Sequence, residues 1–197
     1  MMRRILFVAV VLAIFASAVP ARAFTSTERF TGQFVKAEWD SAGTFVHVSY
    51  QIASDYLLVY VEEETSGGGY YFILADANLL PYGSFTIDRL NTAHMEATDI
   101  PASRCDYDAN GDLIGCSSVS IDLDLTWSGY GRATIGTTTD RTVDPGEFVQ
   151  TFHLTETRRA ALASGTFNGT SLSTDDLLSA SLSLVRMGTV VVCVPCG

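Results

Sequence analysis

Val119, Ile121, Leu123, Leu125 and Trp127 alternate with Ser120, Asp122, Asp124 and Thr126. One face of this segment is wholly apolar and the other wholly polar, which is the period-2 pattern of a half-buried strand. Val46, Val48, Tyr50 and Ile52 alternate in the same way with His47, Ser49 and Gln51, and Phe148, Gln150, Phe152 and Leu154 stand opposite Val149, Thr151 and His153. Leu57–Val61 and Tyr70–Leu74 are instead continuous apolar runs flanking Glu62-Glu63-Glu64-Thr65-Ser66-Gly67-Gly68-Gly69. Turn residues between two β-rich runs predict a hairpin with a flexible acidic tip.

Phe30–Glu38, Leu90–Thr98, Ala160–Phe167 and Thr189–Val194 extend the series to roughly ten strands or more. Ser173 with Asp176 resembles a helix capping box, but Ala180, Leu182 and Leu184 alternate with serines, so a strand after a short helical turn is expected. The Gly-, Thr- and Asp-rich stretch 128–146 reads as a long loop or an exposed edge hairpin. No long amphipathic helix interrupts the series. The fold expected is an all-β antiparallel sandwich, with a β-barrel as the alternative.

The first residues follow a different pattern. Arg3 and Arg4 precede an apolar run from Ile5 to Val19, which Pro20 ends, and Ala21-Arg22-Ala23 supplies a small-x-small signal-peptidase site. Residues 1–23 are therefore read as a signal peptide and 24–197 as one exported domain, secreted or periplasmic. The run is too short to span a membrane comfortably, and no second one follows.

Composition sharpens this picture. The chain has 197 residues, 12 basic and 22 acidic, for a net charge of −10. Removing residues 1–23 takes three basic residues and no acidic ones, leaving nine against 22, or −13. That charge argues against nucleic acid or an anionic membrane surface as partner. A monomer with an adequate core is expected at this length.

All four cysteines lie in the exported part. An even count in a secreted chain implies disulfides. Asn110-Gly111 is the preferred dipeptide of a two-residue type I′ hairpin, and folding about it brings Cys105 opposite Cys116. In that register the two cysteines occupy a hydrogen-bonded position, where α-carbons lie farther apart, unless a bulge or a longer loop relieves it. Cys193-Val-Pro-Cys196 has redox spacing but follows a Val-rich strand at the end of the chain, so a structural Cys193–Cys196 clasp is expected.

The same hairpin carries the main candidate chemistry. Asp106, Asp108 and Asn110, with Gly111, form D-x-D-x-N-G, followed by Asp112, and resemble the first part of an EF-hand calcium loop. Ser117 stands where that family has its bidentate Glu, and the flanks read as strands. Asp106, Asp108, Asn110 and Asp112 are thus candidate calcium ligands in competition with a plain hairpin. Asp122 and Asp124 share one exposed strand face and are read as a solvated acidic surface.

Catalytic motifs are few. His47, His94 and His153 are dispersed on predicted strands without metalloprotease context, and no G-x-S-x-G elbow is present. Asn168-Gly169-Thr170 is a glycosylation sequon. Tyr70, Tyr71, Tyr82 and Tyr130 lie near loops, and as exposed rings they would suit stacking on carbohydrate. The reading favoured is a non-catalytic extracellular binding or surface-structural module with no cofactor, calcium assistance aside. The alternatives are a secreted hydrolase using acidic residues on a sheet face, Glu62, Glu63 and Glu64 among them, and a carrier of an apolar ligand.

Overall fold

A computed structural model describes residues 24–144 and 148–194. Eleven strands form one sheet: β1 (Phe24–Ser41), β2 (Thr44–Gln51), β3 (Tyr56–Glu64), β4 (Tyr70–Asn78), β5 (Gly83–Asp88), β6 (Thr92–Tyr107), β7 (Leu113–Gly129), β8 (Thr134–Asp144), β9 (Phe148–Phe167), β10 (Thr170–Leu172) and β11 (Leu177–Val194). Every pairing is antiparallel, as the alternation predicts. The only helical segments among the described residues are two 3-10 turns, Ile52–Ser54 and Thr174–Asp176. The second confirms the expected short turn before β11, with Ser173 Oγ accepting from Asp175 N at 3.1 Å. Among the described residues, no helix is long and apolar enough to cross a membrane.

Hydrogen bonding runs round a closed circuit of eight strands: β1, β2, β3, β4, β6, β7, β9 and β11, then back to β1. Three strands lie off it. β5 pairs with β6, β10 with the end of β9, and β8 with the first half of β9. β8 is the exposed edge hairpin expected within 128–146. Alternation directs one set of side chains inward, where Trp39, Leu57, Met95, Ile121, Leu125, Trp127 and Leu182 are almost wholly buried. That burial supplies the main driving force for closure. The circuit has two ends. The turns at residues 42–43, 65–69 and 108–112 lie at one end, and those at 52–55, 79–82, 89–91 and 130–133 at the other.

Two local expectations need correction. The glutamates are not part of a flexible tip: β3 runs through Glu64, and Glu62 and Glu63 pair with Phe72 and Tyr71. The turn after β6 is not type I′, which would need positive φ at both Asn110 and Gly111. Only Gly111 has it, at +88°. Gly111 N donates to Asp108 O and Asp108 N to Asp112 O, giving a three-residue loop. The physical reason is Asp108, whose Oδ1 accepts from Asn110 N at 2.8 Å and Asp112 N at 2.9 Å. These bonds fix the chain in an Asx-type turn. Ile114 is then bulged between Leu113 and Gly115, which restores the pairing of Asp106 with Gly115 and Cys105 with Cys116.

The bulge also changes the parity of the ladder. Cys105 and Cys116 form a disulfide with their α-carbons 4.1 Å apart, the close spacing of a non-hydrogen-bonded pair. The expected signal peptide 1–23 lies outside the described residues, as does Cys196 of the expected Cys193–Cys196 clasp; Cys193 stands near the end of β11, opposite Thr25.

Candidate functional site

The outward phase of four neighbouring strands carries aromatic rings. Phe45 stands on β2, Tyr60 on β3, Tyr70 and Phe72 on β4, and Tyr107 on β6; the inward neighbours Val46, Val59, Val61 and Ile73 are buried. Register places Phe45 and Phe72 on either side of Glu62, Tyr60 beside His47, and Tyr70 opposite Tyr107. The rings form one row. Phe45 and Tyr60 centroids are 6.2 Å apart, Tyr60 and Phe72 6.1 Å, Phe72 and Tyr107 5.4 Å, and Tyr107 and Tyr70 4.8 Å. The last pair is parallel to within 2°. All five are half-buried, so each retains solvent-facing surface. A continuous row of aromatic rings on the solvent side of a sheet is unusual, because alternation normally puts polar residues there.

Polar groups border the row. Tyr60 donates its hydroxyl to Glu62 Oε2 at 2.9 Å, and burial together with this bond pushes the Tyr60 phenol pKa up. Next to Tyr60, His47 Nδ1 lies 3.2 Å from Glu38 Oε1 and His47 Nε2 3.3 Å from Ser49 Oγ. Glu38 also accepts from Lys36 Nζ at 3.0 Å and Ser179 Oγ at 2.7 Å. At the other border, the Cys105–Cys116 disulfide stands opposite Phe72 in the ladder and cross-links the strand that carries Tyr107. The platform is therefore held by three ladders and a covalent bridge.

The candidate calcium ligands are arranged differently. Asp106 is bound by Arg104, whose Nη2 and Nε reach its Oδ1 at 2.7 and 3.1 Å. Asp108 is engaged by backbone N–H groups, and the bond from Asp112 N, with that from Asn110 N, holds its carboxyl below the usual carboxylate range. Asn110 Nδ2 lies 3.4 Å from Asp108 Oδ2. Among the described residues, no three His, Cys, Asp or Glu side chains are grouped so as to hold a metal ion. Asp122 and Asp124 serve the sheet: Asp122 accepts from Asp99 N, and Asp124 lies 3.0 Å from His94 Nε2. Asn168, in the sequon, accepts from Asp122 N at 2.7 Å.

The glutamates diverge as strand alternation requires. Glu62 and Glu64 take the outward phase. Glu63 takes the inward one, where it accepts from the Tyr71 hydroxyl beneath the Arg104 guanidinium, 3.8 Å above the Tyr71 ring. Burial and the Glu63 carboxylate push the Tyr71 phenol pKa up to about 12. The three histidines lie on β2, β6 and β9, each with a neighbouring-strand partner: Glu38, Asp124 and Thr139.

Of the four tyrosines singled out as exposed, only Tyr130 is strongly so, at 54%. Tyr71 and Tyr82 pack against the core, and Tyr70 joins the row. Phe45, Tyr60, Phe72 and Tyr107 were not singled out by the sequence. For Tyr60 and Phe72 the signal was the lack of a polar phase in Leu57–Val61 and Tyr70–Leu74, since where both phases are apolar the second face needs a purpose; Phe45 and Tyr107 lie outside those runs. No protein-family model, curated protein or solved structure matches the chain.

Proposed function

We propose that this chain is an exported, non-catalytic binding module that holds an extended carbohydrate chain along the outward face of β2, β3, β4 and β6. The observation carrying this reading is the five-ring row Phe45–Tyr60–Phe72–Tyr107–Tyr70. Rings immobilised on a sheet contribute large contact area at low entropic cost, and they suit the apolar faces of sugar rings. Glu62, His47 and Glu38 beside the row offer acceptors and donors for the hydroxyls at a sugar's rim.

The inward side chains support a binder over a carrier, since Trp39, Trp127, Leu57 and Met95 occupy the interior an apolar ligand would need. The hydrolase reading has less behind it, because Glu62 and Glu63 point to opposite phases and each already accepts a tyrosine hydroxyl. Calcium is not required by the reading: Arg104 and backbone N–H groups already engage Asp106 and Asp108.

Affinity electrophoresis through gels containing xylan, hydroxyethyl cellulose, glycol chitin or pectin tests the proposal. Retardation in at least one gel is expected, with about a tenfold or greater loss for Tyr107→Ala and Phe72→Ala, since a stacked ring contributes about 1–3 kcal/mol. Equal mobility in every gel, or full retardation of both variants, would overturn it.

A further inference from the structure

At the end of the circuit remote from the aromatic row's hairpin tips lies an open groove of about 580 Å³. Its walls come from β1, the β5–β6 turn, the loop after β7, β9 and β11. Arg89, Arg159 and Arg186 line it, and no Asp or Glu does. In a chain with 22 acidic residues this is a local inversion of charge. Only eight arginines follow residue 23, and three converge here from three separate segments. None of the three forms an ion pair among the described residues.

Backbone and side-chain geometry favour a built site. Arg159 stands on the inward phase of β9, opposite the fully buried Leu182. Its Nη1 donates to Leu90 O at 3.2 Å and Asn91 Oδ1 at 2.7 Å, and its Nε to Gly131 O at 3.1 Å. The guanidinium is thus fixed in place while Nη2 keeps its donors unspent among the described residues. Arg186 is the extra residue of a bulge between Val185 and Met187, the kind of irregularity that re-aims a side chain. Thr157 Oγ1, beneath the wall, is shielded from solvent and has no hydrogen-bond partner among the described residues.

We propose that this groove binds a small organic polyanion, a molecule carrying two or more carboxylates on a compact body. Guanidinium forks recognise carboxylates bidentately. Three of them from three segments require more than one anionic group to be bridged, and Leu90 and Leu184 give the carbon body an apolar contact. The volume falls in the range of small-molecule sites. The site is independent of the aromatic row and stands or falls separately from it.

Citrate is the probe, titrated calorimetrically into the exported chain, with sodium sulfate and sodium chloride at matched ionic strength as comparisons. Citrate is expected to bind at least about tenfold more tightly than sulfate, and chloride not to bind. Arg89→Gln and Arg186→Gln are the variants, because both side chains are exposed and their loss leaves the Arg159 contacts intact. Each should weaken citrate about tenfold, the equivalent of one charge-assisted bond, with the unliganded thermal midpoint unchanged. Citrate binding no tighter than sulfate, or unaltered in both variants, would overturn the proposal, as would no binding at all.

Discussion

Trp127 on β7 donates its indole N–H to the backbone carbonyl of Lys36 on β1, 3.1 Å away, across an interior that no ladder spans between those two strands. Trp39, equally buried, has its indole N–H without a partner among the described residues. The two tryptophans thus do similar packing work with opposite polar outcomes. Trp127→Phe removes a buried hydrogen bond and leaves a void, and should cost about 2–4 kcal/mol. Trp39→Phe leaves a similar void but removes an unsatisfied donor, and should cost at least about 1 kcal/mol less. Urea unfolding of both variants measures the difference; equal losses would show that the Lys36 contact contributes nothing net.

Gly165 on β9 sits so close to β7 that a Cβ there would lie 1.9 Å from the Asp124 carbonyl oxygen, and its φ is +148°. Here β9 pairs with β7 and completes the circuit. Gly111 also has positive φ, but a Cβ there meets nothing within 4 Å. Gly165→Ala should therefore lower stability by more than about 3 kcal/mol or prevent folding, combining overpacking with backbone strain. Gly111→Ala carries strain alone, about 1–2 kcal/mol. Thermal melts of the two variants decide whether closure at Gly165 is as tight as its geometry implies.

How much of this was legible in the sequence depended on polarity contrast. Ile121, Leu123, Leu125 and Trp127 alternate with polar residues, so strand and buried face could both be read, and all four are buried. In Leu57–Val61 the contrast vanishes, and the row through Tyr60 and Phe72 was hidden inside what reads as a core run. The hairpin was half legible. Pairing of Cys105 with Cys116 followed from symmetry, but the turn type depended on the Asp108 side chain capturing Asn110 N and Asp112 N, which a dipeptide rule omits. Least legible was the circuit itself. Pairings such as Val35 with Leu182 and Leu125 with Gly165 join segments far apart in sequence, and no local pattern specifies them. The arginine groove is hidden for the same reason, since Arg89, Arg159 and Arg186 meet only once β9 and β11 are in place.

Glu38 and His47 make stability depend on pH in one direction. Burial alone would raise the Glu38 carboxyl, but hydrogen bonds from Ser179, Lys36 and His47, with the Lys36 charge, outweigh it and hold the group below its ordinary 4.5. Its contribution is present above that value and is lost as pH falls through the depressed folded one. His47 is lowered below 6.5 chiefly by burial, which the Glu38 carboxylate only partly opposes. The unfolded chain therefore takes up a proton near 6.5 that the folded chain resists, so acid again favours unfolding. The thermal midpoint should fall in two overlapping stages, the first beginning near 6.5 and the second below 4.5. His47→Gln, which keeps a polar side chain between Glu38 and Ser49 but cannot titrate, should flatten the first stage and leave the second. A variant profile that superimposes on the parent's between about pH 5 and 6.5 would mean that His47 is not the group responsible.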